Sequence, residues 1–184
     1  MAEPSLHELE LVEPDVKIVW RAFELRPDPA PTLDPKGDYL KQAWSSSVYP
    51  LAERLGVSMR LPPVQPRTRL AHQAAKWAGA QQRFNEYNDA LFEAFFVRGE
   101  DIGKRDVLMK LAGELGLDSS KLSEALQSRE FEQSVLKDER DAATMGLHGV
   151  PAFVVNRRAG LSGVQSVAAL RALLDRVRAA PPPQ

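Results

Sequence analysis

The clearest alternation of apolar and polar positions lies near the start of the chain, in Val16-Lys17-Ile18-Val19-Trp20-Arg21-Ala22-Phe23-Glu24-Leu25. Val16, Ile18, Trp20 and Ala22 form one set; Lys17, Val19, Arg21 and Phe23 form the other. A period of two predicts a β-strand, and the half-apolar second set predicts cover on both faces. Before it, residues 5–11 read as a short helix stopped by Pro14 and Asp15. After it, Pro27, Pro29, Pro31 and Pro35 predict an extended loop, and Pro62, Pro63 and Pro66 mark a second one.

From the first loop to Gly146 the apolar spacing is helical. Leu70, Ala74, Trp77 and Ala78 share one face, Leu91, Phe92, Phe95 and Phe96 a second, and Val107, Leu108, Leu111 and Leu115 a third that Gly116 closes. Asp118 is a predicted N-cap for a short helix through Leu126. A charged helix follows from about Arg129 to Met145, and its run at 137–141 reads as a solvated face. Gly149-Val150-Pro151 breaks the helical pattern. Residues 152–156 are β-rich, 157–160 read as a hairpin turn and 160–163 as the return strand. Ser166 should cap a last helix that buries Val167, Leu170, Leu173, Leu174 and Val177. The prolines at 181–183 predict a disordered tail. The order helix, strand, long helical stretch, strand, strand, helix gives an α/β class with a small sheet.

Composition narrows the chemistry more than the fold. The 184 residues suffice for one sizeable core, and a net charge of −1 gives no reason to expect nucleic acid or a membrane surface as partner. No apolar run is long enough to span a bilayer, and the acidic N-terminus lacks the form of a signal peptide, so a cytoplasmic location is expected. The sequence contains 0 cysteines, which removes disulfides, thiolate nucleophiles and cysteine-ligated metals from the chemistry of these residues.

Four segments, met in order, carry a resemblance. They are Trp20 to Pro27, Thr68-Arg69-Leu70-Ala71-His72, Asn88 to Phe96, and Gly146-Leu147-His148-Gly149-Val150-Pro151-Ala152-Phe153-Val154-Val155 with Gly160 to Gln165. Together they resemble the DsbA-like thioredoxin-fold family, in particular its cytoplasmic FrnE-like branch. The resemblance implies a thioredoxin-like small mixed sheet with an inserted all-helical domain. Residues 1–37 and 146–180 would form the thioredoxin-like part and 38–145 the insert. The family function is thiol–disulfide oxidoreduction on protein or peptide substrates, with no cofactor. Pro151 would be the family's cis-proline, and Val150, Pro151 and His148 would form the substrate-binding loop.

The resemblance also implies what these residues lack. The family's first strand and its Cys-x-x-Cys pair would precede the first helix, and residues 2–11 already look like the body of that helix. The expectation is a start placed downstream of the true one. A degenerate relative, or a redox-inactive module that holds extended peptide, are the other readings. A chain without that strand is expected to be poorly soluble or loosened, since strand edges would be left unpaired. As written, the sequence is expected to have no catalytic residue and no redox turnover. A related branch, the kappa-class glutathione transferases and 2-hydroxychromene-2-carboxylate isomerases, uses a serine at this helix and binds glutathione. Ser5 is the nearby hydroxyl, and it reads as a helix N-cap.

The remaining candidates are few. His7 reads as a surface residue, His72 as a satisfied boundary residue and His148 as a structural hydrogen-bond partner beside the loop; their spacing fits no metal site. Trp77, Phe92, Phe95 and Phe96 read as core ahead of a substrate groove. Arg69 is either a substrate contact or a surface residue.

Overall fold

The computed structural model describes residues 1–180, so the tail at 181–184 lies outside the described residues. Helix α1 (Glu3–Val12) comes first. Helix α2 (Asp38–Ala43), a π-helical segment (Trp44–Val48) and α3 (Tyr49–Arg54) follow the first proline loop. Next are α4 (Arg69–Ala80), α5 (Phe84–Phe92) running on as a π-helical segment (Glu93–Arg98), α6 (Arg105–Glu114), α7 (Ser119–Ser128) and α8 (Glu132–Thr144). The chain closes with β1 (Ala152–Val155), β2 (Ala159–Ser162) and α9 (Val167–Ala179).

Two apolar clusters hold these elements. The first centres on α4, where five of twelve residues are alanine, a composition that favours helix and allows close approach of neighbours. Ala74 and Ala78 are fully buried, and α5, α6, α7 and α8 all pack on this helix. Tyr87, Leu108, Leu111 and Leu122 complete the cluster. The hydroxyl of Tyr87, itself fully buried, donates to the carbonyl of Leu108 at 2.7 Å. Burial pushes this phenol up, away from ionisation. Tyr87→Phe should keep the packing and lose one net hydrogen bond, about 0.5–1.5 kcal/mol in urea unfolding.

The second cluster joins α1 to α9 through Leu6, Leu9, Leu170 and Leu174, with Val16, Ile18, Trp20, Phe153 and Val155 packed against it. Glu13 ties the same helices from outside, accepting from Arg171 at 2.8 Å and Arg178 at 2.9 Å. Between the clusters runs a chain of rings. Trp20 meets Phe92 edge-on at 6.2 Å, Phe92 meets Phe96 at 6.2 Å, and Phe96 meets Trp44 at 6.3 Å. Trp77 is 7 % exposed and belongs to the first cluster.

The caps and the hairpin form as their residues dictate. Asp118 accepts from the amides of Ser120 and Lys121, and Ser166 accepts from Ala169. β1 and β2 pair antiparallel, Ala152 opposite Ser162 and Val155 opposite Ala159. Asn156 and Arg157 both have positive φ, and Arg158 N–H donates to Val155 O at 2.9 Å, which is a type I′ turn. Gly160 is needed in β2 because a Cβ there would meet the Phe153 carbonyl at 2.9 Å.

Segment 16–25 departs from the predicted strand. Its even positions do face inward, as the period of two requires: Ala22 and Glu24 are each 6 % exposed. It forms no ladder, and among the described residues the sheet consists of β1 and β2 alone. Periodicity fixes which side faces the core, but a strand also needs a partner for its amides and carbonyls. Here the Ala22 amide donates instead to the carboxylate of Asp138, at 3.0 Å. Nor is the outer face covered, since Val19 is 54 % and Leu25 64 % exposed.

Among the described residues no helix is long and apolar enough to cross a membrane.

Candidate functional site

The loop that leads into β1 carries the residues expected to bind substrate. The Val150–Pro151 peptide bond is cis. The Pro151 carbonyl accepts from Gly163 N–H at 2.8 Å, which fastens the loop to the end of β2. Val150 is exposed, and among the described residues its main chain makes no hydrogen bond. β1 pairs with β2 on one side only, so its other edge is open and continuous with Val150. Phe153 and Val155 pack on the second cluster while Val154 faces outward. His148 is exposed and forms no hydrogen bond among the described residues, so the structural bond expected for it is absent. Ser5 lies inside the first turn of α1; the N-cap is Ala2.

A second polar assembly went unseen in the sequence. Asp138, on α8, is 3 % exposed and accepts from Lys76 Nζ at 2.6 Å, Arg21 Nη1 at 3.1 Å and the Ala22 amide at 3.0 Å. Next to it, Glu24 takes a hydrogen bond from Arg69 Nε, and Arg69 Nη2 lies 3.6 Å from Glu139. Burial, with the Glu24 carboxylate facing it, pushes Glu139 up to about 7. Burial also holds His72 below the usual imidazole range, against the pull of Glu24. The expected solvated face at 137–141 is thus only half right. Lys137 and Arg140 are exposed, while Asp138 and Glu139 turn inward because segment 16–25 and α4 supply their partners. Arg69 is a member of this buried network rather than a surface residue.

Arg69 also borders a cleft of about 290 Å³ between the first turn of α4 and the ends of α6, α7 and α8. Gln73, 2 % exposed, lines it, and the Gln73 Oε1 has no hydrogen-bond partner. No spacing in the sequence marks these residues. Among the described residues no group of three or more His, Asp or Glu is placed to hold a metal ion.

Comparison with known proteins bears on the fold of this arrangement. Residues 1–175 match the family model for the DSBA-like thioredoxin domain. The uncharacterized protein YwbO of Bacillus subtilis (strain 168) is 40 % identical over 147 residues, covering 77 % of this chain and 72 % of that protein. A Streptomyces coelicolor protein described as a probable DsbA oxidoreductase superposes with a TM-score of 0.76 at 23 % identity, covering 100 % of this chain and 86 % of that one. A 2-hydroxychromene-2-carboxylate isomerase superposes with a TM-score of 0.75 at 16 % identity, covering 96 % of this chain and 88 % of that one.

Proposed function

Because the chain belongs to the DSBA-like thioredoxin-domain family, we propose that it handles the substrates of a thiol–disulfide oxidoreductase, extended peptides bearing a thiol or disulfide. It holds them by main-chain bonds along Val150 and the open edge of β1. The observation that carries this reading is the pairing of that edge with the unpartnered main chain of Val150. A free strand edge is a template for an added strand, and peptide recognition by strand addition draws its affinity from main-chain hydrogen bonds. Pro151 keeps the loop in place through its bond from Gly163, and exposed His148 stands beside the track of the peptide.

The sulfur chemistry is a separate matter. Exchange needs a thiolate to attack a disulfide sulfur, and these 184 residues contain 0 cysteines. The protein with this sequence should therefore bind such peptides and leave their disulfides unchanged. A work-site in the cytoplasm fits this reading, as in the FrnE-like branch that the sequence resembles.

The test uses a fluorescently labelled extended peptide and its copies N-methylated at single backbone amides. Methylation at the amides that meet β1 should weaken binding roughly 2- to 10-fold, the worth of one net hydrogen bond. Binding indifferent to methylation anywhere along the peptide would overturn the proposal, as would turnover of a disulfide substrate by the chain alone.

A further inference from the structure

Residues 38–54 stand apart from the other helices. α2, the first π-helical segment and α3 pack on one another, and among the described residues no other helix or strand packs on them. Hydrogen bonds and ion pairs of this stretch stay within it or at its two ends, with one exception among the described residues: Leu61 N–H donates to the Tyr49 hydroxyl at 3.1 Å. Both ends are loops. The proline run leads in, and Gly56, at a φ of 65°, leads out toward Arg60, whose amide donates to the Phe96 carbonyl at 2.8 Å. The stretch is a flap.

Its contact with the body of the protein runs through Trp44, whose ring stands 6.3 Å from that of Phe96. The two rings lie on the π-helical segments Trp44–Val48 and Glu93–Arg98. Such segments are rare and recur at functional sites, and here a single ring contact joins both. Behind Phe96 the rings continue to Phe92 and Trp20, tilted and edge-on as aromatic pairs prefer. Trp44 is 8 % exposed, while Phe96, Phe92 and Trp20 are half-buried. An aromatic strip therefore ends under one indole carried on a flap.

From this geometry we infer that Phe96 and Phe92 form a binding site for an aromatic side chain, and that Trp44 occupies it until a ligand's ring displaces the indole. Residues 38–54 then swing out about the loops at 27–37 and 55–59. The class of ligand follows from the present occupant, an uncharged aromatic ring seated against Phe96. Swinging out gives up that ring contact and the Tyr49 bond but no packing between helices. While Trp44 is seated, the apparent affinity is reduced in proportion to the open fraction. This site goes beyond the peptide edge at Val150 and shares no residue with it, so each can fail without the other.

N-acetylphenylalaninamide serves as the probe. It is titrated into the whole chain while NMR follows the amides of α5 and its π-helical continuation and the indole N–H of Trp44. Saturable shifts should centre on Phe92 and Phe96, and the Trp44 indole should move with them. Substitutions on the two sides of one ring contact should act in opposite directions. Trp44→Ala vacates the site and should tighten binding roughly 2- to 10-fold, the scale of one aromatic pair. Phe96→Leu keeps an apolar side chain, removes the ring and should weaken binding by a similar factor. A flap that unravels in Trp44→Ala uncovers Phe96 all the same, and if Phe96→Leu fails to fold, Trp44→Ala decides alone. Unchanged or weaker binding in Trp44→Ala would overturn the inference and leave the ring contact as packing. Shifts confined elsewhere, no saturable shift, or equal binding of N-acetylleucinamide, which lacks the ring, would overturn it as well.

Discussion

Replacing Asp138 by alanine should lower the unfolding free energy by about 3–5 kcal/mol, the scale for removing one partner from a buried ion pair. For a chain of this length that corresponds to a fall in Tm of roughly 6–20 °C. The carboxylate is 1 % exposed and does three tasks at once. It neutralises Lys76, whose side chain is 15 % exposed, it takes a hydrogen bond from Arg21, and it accepts the Ala22 amide, which has no ladder to join. Without it, Lys76 is left charged in a largely buried site, and a buried amide loses its acceptor. Arg21 loses little, because its side chain is 64 % exposed and water replaces the bond. Urea unfolding of Asp138→Ala, Lys76→Met and the double variant separates the contributions. The double variant should be more stable than Asp138→Ala alone, since it removes the orphaned charge. A loss under about 1 kcal/mol for Asp138→Ala, the usual worth of an exposed pair, would mean that the network does not anchor segment 16–25.

That anchor explains why the fold was only partly legible in the sequence. Helices announced themselves through local spacing, as with Leu108 and Leu111 on α6, and through local caps at Asp118 and Ser166. The hairpin was local as well, although its turn falls at 155–158 and its return strand at Ala159–Ser162, each slightly ahead of the 157–160 and 160–163 that the residues suggested. Segment 16–25 was legible in one respect. The period of two correctly put Val16, Ile18, Trp20 and Ala22 on the inner side. The absence of a ladder could not be read there, because pairing depends on what lies beside the segment and not on its own residues. Asp138 was illegible for the same reason. Arg21 is 117 residues away and Lys76 is 62, and a lone carboxylate in a run of alternating charges looks like solvated surface until those partners are placed. Of the candidate loop, Val150, Pro151 and His148 could be named from the sequence through resemblance, and the same resemblance, by leaving out a neighbouring strand, implied the unpaired edge that β1 shows. Gln73 carried no signal in the sequence, and its buried, unpaired Oε1 emerges only once the helices are placed.

A pH profile should expose the second consequence of burying charge in this network. Glu139 titrates near 7 in the folded protein, above its ordinary value of 4.5. Protonated Glu139 is therefore the form that folding favours. Below about 4.5 both states carry the proton and the group contributes no slope. As pH rises from 4.5 toward 7 the unfolded state gives up its proton first, and the folded state is progressively disfavoured until both are ionised. Glu24 opposes the ionised form, Arg69 favours it, and Asp138 adds a further like charge. Glu139→Gln keeps the shape and removes the titration. It should match the parent near pH 4.5 and exceed it in stability above pH 7, with the difference opening between those values. His72, buried and held low, contributes a slope of opposite sign, since its unfolded form takes up a proton first as pH falls. That slope is common to both proteins, so the difference between their unfolding free energies isolates Glu139. A difference that stays constant from pH 4.5 to 8 would show that Glu139 ionises at its ordinary value, and that Arg69 offsets both its burial and its neighbour Glu24.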